Sequence, residues 1–115
     1  MKIINLTPHD IVICGSCGDK ILTLPASGVV ARVSSETTII DHLEIDGFRI
    51  PVTKTEFAKV ANLPDPVDGV VYLCSSLVQL NSTRTDLISP DTTRLGAVRD
   101  NRGRIVGSTG FQRID

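Results

Sequence analysis

The chain has 115 residues, 41% of them hydrophobic and 22% charged, with a formal net charge of −1. That is enough for one buried core and one domain, expected to span residues 1–115. It excludes the strong basic footprint of general nucleic-acid binding and any apolar run long enough to cross a membrane. Aromatic residues are only Phe48, Phe57, Phe111 and Tyr72, so the core is expected to be aliphatic and no base-stacking platform is expected. Three cysteines do not make a disulfide framework. The start MKIINLTPHD reaches Pro8, His9 and Asp10 before any apolar signal region forms. A cytoplasmic protein is therefore expected.

In chain order the pattern is β-rich with frequent turns. Ile3–Leu6 and Asp10–Cys14 read as short strands broken at Thr7-Pro8, where proline cannot donate to a ladder. Lys20–Leu24 reads as a returning strand, Val29–Val33 as an apolar segment, and Thr37–Asp41 as a β-branched one. In Leu43–Ile50, Asp46-Gly47 sits between alternating apolar residues, the signature of a type I′ hairpin. Thr53-Lys-Thr-Glu56 fits a capping box ahead of Phe57, Val60 and Ala61 and predicts a helix, although strand also fits residues 50–60. Val70–Cys74 reads as a buried strand. Ser76-Leu-Val-Gln79 fits a second capping box, predicting a short helix to about Asn81. Val98–Val106 predicts a second hairpin turning at Asn101 to Gly103. The sum is a mainly β fold: a compact antiparallel domain, barrel-like or sandwich-like, with one or two short helices. Small sheets of this kind leave edges that pair with another copy, so a homo-oligomer is expected.

Charge is polarised along the chain. Residues 1–82 hold six basic and nine acidic side chains, or −3; residues 83–115 hold six basic and four acidic, or +2. All six late cations are arginine, and aspartates sit among them. The arginine fork grips phosphates and carboxylates bidentately. Arg84, Asp86, Arg99, Arg104 and His9 are therefore the candidate ligand-binding residues, for a small anionic, nucleotide-like ligand. The competing interpretation of the same residues is internal Arg–Asp bracing of loops, with His9 a turn residue. Cys14-x-x-Cys17-Gly18 looks like half a zinc knuckle, but no second ligand pair follows, and no metal or cofactor is expected. Ser75-Ser76 follows a strand and opens a helix, yet lacks the glycines of a nucleophile elbow, so no catalytic residue is assigned.

Ile4-Asn-Leu-Thr-Pro-His9, Leu24-Pro-Ala-Ser-Gly-Val-Val-Ala-Arg32, Leu63-Pro-Asp-Pro66, Val71-Tyr-Leu-Cys-Ser-Ser-Leu-Val78 and Val98-Arg-Asp-Asn-Arg-Gly-Arg-Ile-Val-Gly107 together resemble a family of small bacteriophage and prophage proteins. The resemblance implies a phage-encoded accessory protein in a host cell, acting by binding, often against host defences. It carries over no functional residue. Three functions are thus in view: sequestering or sensing a small phosphorylated ligand through the C-terminal arginines; inhibiting a host protein through an exposed β edge; and, least supported, a small hydrolase.

Overall fold

Alternating β-branched segments cut by turns give ten strands and one short helix among the described residues of the structure, a computed structural model. It describes residues 1–15, 19–93 and 95–114. The strands are β1 (Lys2–Asn5), β2 (Ile11–Cys14), β3 (Lys20–Leu24), β4 (Ser35–Ile45), β5 (Phe48–Phe57), β6 (Val70–Leu73), β7 (Leu87–Pro90), β8 (Ala97–Arg99), β9 (Ile105–Ser108) and β10 (Phe111–Gln112); the helix is α1 (Ser76–Leu80). One four-stranded sheet runs β1-β6-β7-β10 and a second runs β3-β2-β9-β8. Neither closes into a barrel, and the mainly β, sandwich-like class stands. Strand directions are mixed. β1, β6 and β7 pair in parallel, β2 meets β9 in parallel, and the remaining ladders are antiparallel. The parallel β6–β7 pair needs a crossover, and α1 supplies it.

Local chemistry explains the joints. The Asn5 amide, almost fully buried, donates to the carbonyls of His9 and Leu24, and its oxygen accepts from the Thr7 N–H at 2.9 Å. This side chain replaces the ladder that Pro8 interrupts. Ser75 is the N-cap of α1: its backbone is extended and its hydroxyl accepts from the Val78 N–H at 3.2 Å. The capping box read at Ser76 is thus displaced by one residue. Gln79 is not folded back as a capping partner; it donates to the Leu87 carbonyl and accepts from Ser89, buried between helix and β7.

The core is small. Leu6, Ala31, Tyr72, Cys74, Val78 and Leu87 pack together, with Ile4, Val33, Val60, Leu63 and Val70 against them. Tyr72 takes the centre because its hydroxyl reaches the Asp65 carbonyl at 3.0 Å. The three phenylalanines all lie outside, at 68%, 46% and 37% exposure for Phe48, Phe57 and Phe111.

One expectation is corrected. Thr53–Glu56 does not start a helix; it continues β5, where Thr53 pairs with Ile39 and Thr55 with Thr37. Long-range pairing outweighs the local capping pattern there. The apolar segment Val29–Val33 contributes one isolated bridge, Arg32 to Ala61. Among the described residues α1 is the only α-helix.

Among the described residues β4 and β5 form a sheet of their own, paired only with each other. Their turn has Asp46 at φ 52° and Gly47 at φ 83°, both left-handed, as a type I′ turn requires. Ten rungs run from Ile45↔Phe48 to Ser35↔Phe57, with a bulge between Ile39 and Asp41. At about 3.3 Å per residue this is an arm roughly 33 Å long. Every residue of it is exposed except the half-buried Val52. The radius of gyration is 17.9 Å, against about 13 Å for a compact chain of this size. The arm stands off the body.

Candidate functional site

Arg84 lies in the loop between α1 and β7, two residues before Asp86. Its Nε donates to Asp86 Oδ1 at 2.9 Å and its Nη2 to Asp86 Oδ2 at 2.6 Å, a parallel two-bond grip. Nη1 donates to the Pro64 carbonyl, and the guanidinium carbon lies 5.6 Å from the Tyr72 ring centroid. The pair is four-fifths covered, at 22% and 20% side-chain exposure. The hydrogen bonds to Arg84 hold the Asp86 carboxyl below its usual range, against the opposing effect of burial. Arg84 is raised by the same bonds. All three guanidinium nitrogens of Arg84 therefore already have protein partners.

Arg99 and Arg104 belong to the β8–β9 hairpin. Arg99 Nη1 donates to the Gly103 carbonyl at 2.6 Å. Asp100 Oδ1 accepts from the backbone N–H groups of Arg102 and Arg104, and its Oδ2 from Arg104 Nε at 3.1 Å. The Arg104 N–H and then that of Arg102, with the Arg104 side chain, keep Asp100 below the ordinary carboxylate range. Each arginine is thus engaged locally. A groove of about 430 Å³ beside Arg84 is lined by Ser82, Thr83, Thr85 and Ile114 among others, and neither Arg99 nor Arg104 reaches it. His9 is exposed on its turn, where its carbonyl accepts from Asn5. The structure joins Arg84 to Asp86, and Arg104 to Asp100; it does not gather Arg84, Arg99, Arg104 and His9 around one cavity.

The Ser75 hydroxyl caps α1 and lines a groove of about 430 Å³ with Leu6, Thr7, Pro8, Val33 and Val78; no histidine lines it. His42 lies far along the arm, within 3.4 Å of Arg49 Nη2. Cys14 is buried, and Cys17 with its neighbours Ser16 and Gly18 lies outside the described residues. Among the described residues no three metal-ligating side chains cluster. Cys74 is buried, and burial pushes its thiol up to about 11. No helix among the described residues is long and apolar enough to cross a membrane.

The arm's uncovered face is the feature that sequence reasoning missed. The arm's two strands alternate so that, from tip to bulge, one face carries the rungs Ile45/Phe48, Leu43/Ile50 and Asp41/Val52. The opposite face carries Glu44/Arg49 and His42/Pro51. On the first face Leu43, Ile45, Phe48 and Ile50 are between 43% and 68% exposed, while Ile39 and Phe57 lie on the opposite face beyond the bulge. An apolar face of this extent on a monomer marks a contact surface. The alternation was legible, but it reads as a half-buried strand; nothing local reveals that no second layer covers it.

No protein-family model, curated protein or solved structure matches the chain.

Proposed function

We propose that this chain is a binding protein that works by protein–protein contact, with the β4–β5 arm as its contact element. The observation that carries the proposal is the arm's uncovered apolar face. A two-stranded hairpin is marginal on its own, and one with Phe48, Ile50, Leu43 and Ile45 in water gains stability when that face is covered. The proposed setting, from the resemblance to phage and prophage proteins, is a phage-encoded accessory protein in a host cell, with an anti-defence role. No chemical step is part of this proposal.

A second proposal, a small phosphorylated ligand held by the C-terminal arginines, keeps one supporting observation: the groove beside Arg84 is lined by the hydroxyl residues Ser82, Thr83 and Thr85. Arg84 would have to leave Asp86 to serve it.

Native mass spectrometry of the chain taken directly from its producing cell separates the two. A complex of polypeptide chains, with arm residues 39–52 shielded from solvent exchange, is expected. A monomer carrying a small phosphorylated ligand, with the arm freely exchanging, would refute the contact proposal.

A further inference from the structure

From the arm's face pattern we infer that it is covered by a second copy of this chain, the two arms packed face to face and antiparallel about a two-fold axis through the Leu43/Ile50 rung. This rests on the proposal that the arm is the contact element, and it names the partner.

Three features of the arm select this partner. The first is shape. A two-fold through Leu43/Ile50 lays the bulky Ile45/Phe48 rung of one copy over the smaller Asp41/Val52 rung of the other, twice by symmetry. Large-on-small stacking lets two sheets interdigitate about 10 Å apart. The second is charge. The same operation carries the Asp46-Gly47 turn of one arm over the Ile39/Thr53 rung of the other, one residue short of Lys54. An acidic turn then comes beside Lys54, which among the described residues pairs with Glu56 at 3.4 Å, both side chains well exposed. The third is area. From their exposures, Leu43, Ile45, Phe48, Ile50 and Val52 offer on the order of 500 Å² per copy, and two copies about 1,000 Å², the lower bound of a specific interface. The dimer should therefore dissociate on dilution.

Lateral pairing of the arms is the less favoured geometry. The two-residue turn makes Ile45↔Phe48 and Leu43↔Ile50 the hydrogen-bonded pairs, so the backbone of Pro51 faces the outer edge of β5. That position has no N–H to offer a neighbouring strand. The outer edge of β4 carries Glu36, Asp41 and Glu44, which would repel the same edge of another copy.

The test uses the purified full chain. Sedimentation across a concentration series should show a monomer–dimer equilibrium. Carbodiimide coupling of a mixture of unlabelled and isotope-labelled chains should give an Asp46–Lys54 linked peptide of mixed isotope composition. Ile50→Lys places two like charges at the axis and should shift the equilibrium at least tenfold toward monomer, while circular dichroism stays that of the folded chain. Thr55→Lys, on the opposite face near the body, should leave the dimer intact. A chain that is monomeric throughout, a dimer that survives Ile50→Lys, or an assembly without the mixed Asp46–Lys54 link would each overturn the inference. If the purified chain is monomeric but leaves the cell bound to a different polypeptide through residues 39–52, the self-pairing fails and the contact proposal survives. If it leaves the cell as a monomer with the arm exposed, both fail.

Discussion

Replacing Arg84 by lysine keeps the charge and removes the fork. Arg84 makes two parallel bonds to Asp86 and a third to the Pro64 carbonyl. Lysine can satisfy one of these at a time. A hydrogen bond to a charged group contributes about 1.5–3 kcal/mol, and the lower end applies here because about a fifth of each side chain is still wet. Arg84→Lys should therefore cost about 2 kcal/mol. For a chain of this size that lowers the melting temperature by roughly 8 °C. Arg84→Ala should cost more, since Asp86 is left without its partner. The pH dependence follows from Asp86. Its folded value is depressed, so the pair's contribution is fully present above the unfolded carboxyl value near 4 and is lost as pH falls through the folded value. Melting scans of the wild type and Arg84→Ala should lie far apart at neutral pH and converge as pH falls below about 4. A melting temperature within about 2 °C of wild type for Arg84→Lys, at neutral pH, would refute the bracing role and return Arg84 to ligand binding.

Other substitutions probe the joints. Ser75→Ala removes the cap of α1 and should cost about 1 kcal/mol in denaturant titration, while Ser76→Ala should be near neutral. Gly107→Ala puts a Cβ 2.8 Å from Cys14 Sγ and 3.2 Å from the Val12 carbonyl, so it should destabilise by about 1–3 kcal/mol. Adding Cys14→Ala should recover part of that loss. Cys74, fully buried with its thiol raised to about 11, should resist alkylation at pH 8 in the native state and react on unfolding, as peptide mapping would show.

Much of the fold was legible because its signals are local. Asp46-Gly47 demanded left-handed backbone at both positions, and both have it. Lys20–Leu24 is a strand at the stated bounds, and the second hairpin turns where Gly103 has φ 78°. What failed was decided at long range. Thr53–Glu56 has the residues of a helix start, but Thr37 and Ile39 lie opposite and hold it as strand. The Ser75 cap was read one residue late because both serines suit the position, and only the extended backbone at Ser75 chooses between them. The parallel β1–β6 pairing joins segments far apart in sequence, and no turn residue announces it. Among the candidate site residues, the Arg84–Asp86 spacing was visible, but whether the fork faced an aspartate or an empty groove depended on Pro64 and Tyr72 converging from elsewhere. The arm's exposed face was hidden for the opposite reason. Its alternation matches that of a covered strand, and its exposure comes from β4 and β5 pairing, among the described residues, with nothing but each other.

The central claim is that the arm is a contact element, and hydrogen exchange of residues 39–52 tests it most directly. In the assembly isolated from the producing cell, amides at Leu43, Ile45 and Phe48 should exchange far more slowly than in the dissociated Ile50→Lys variant, while the β8–β9 hairpin should exchange alike in both. Equal, rapid exchange of the arm in the two samples would contradict the account.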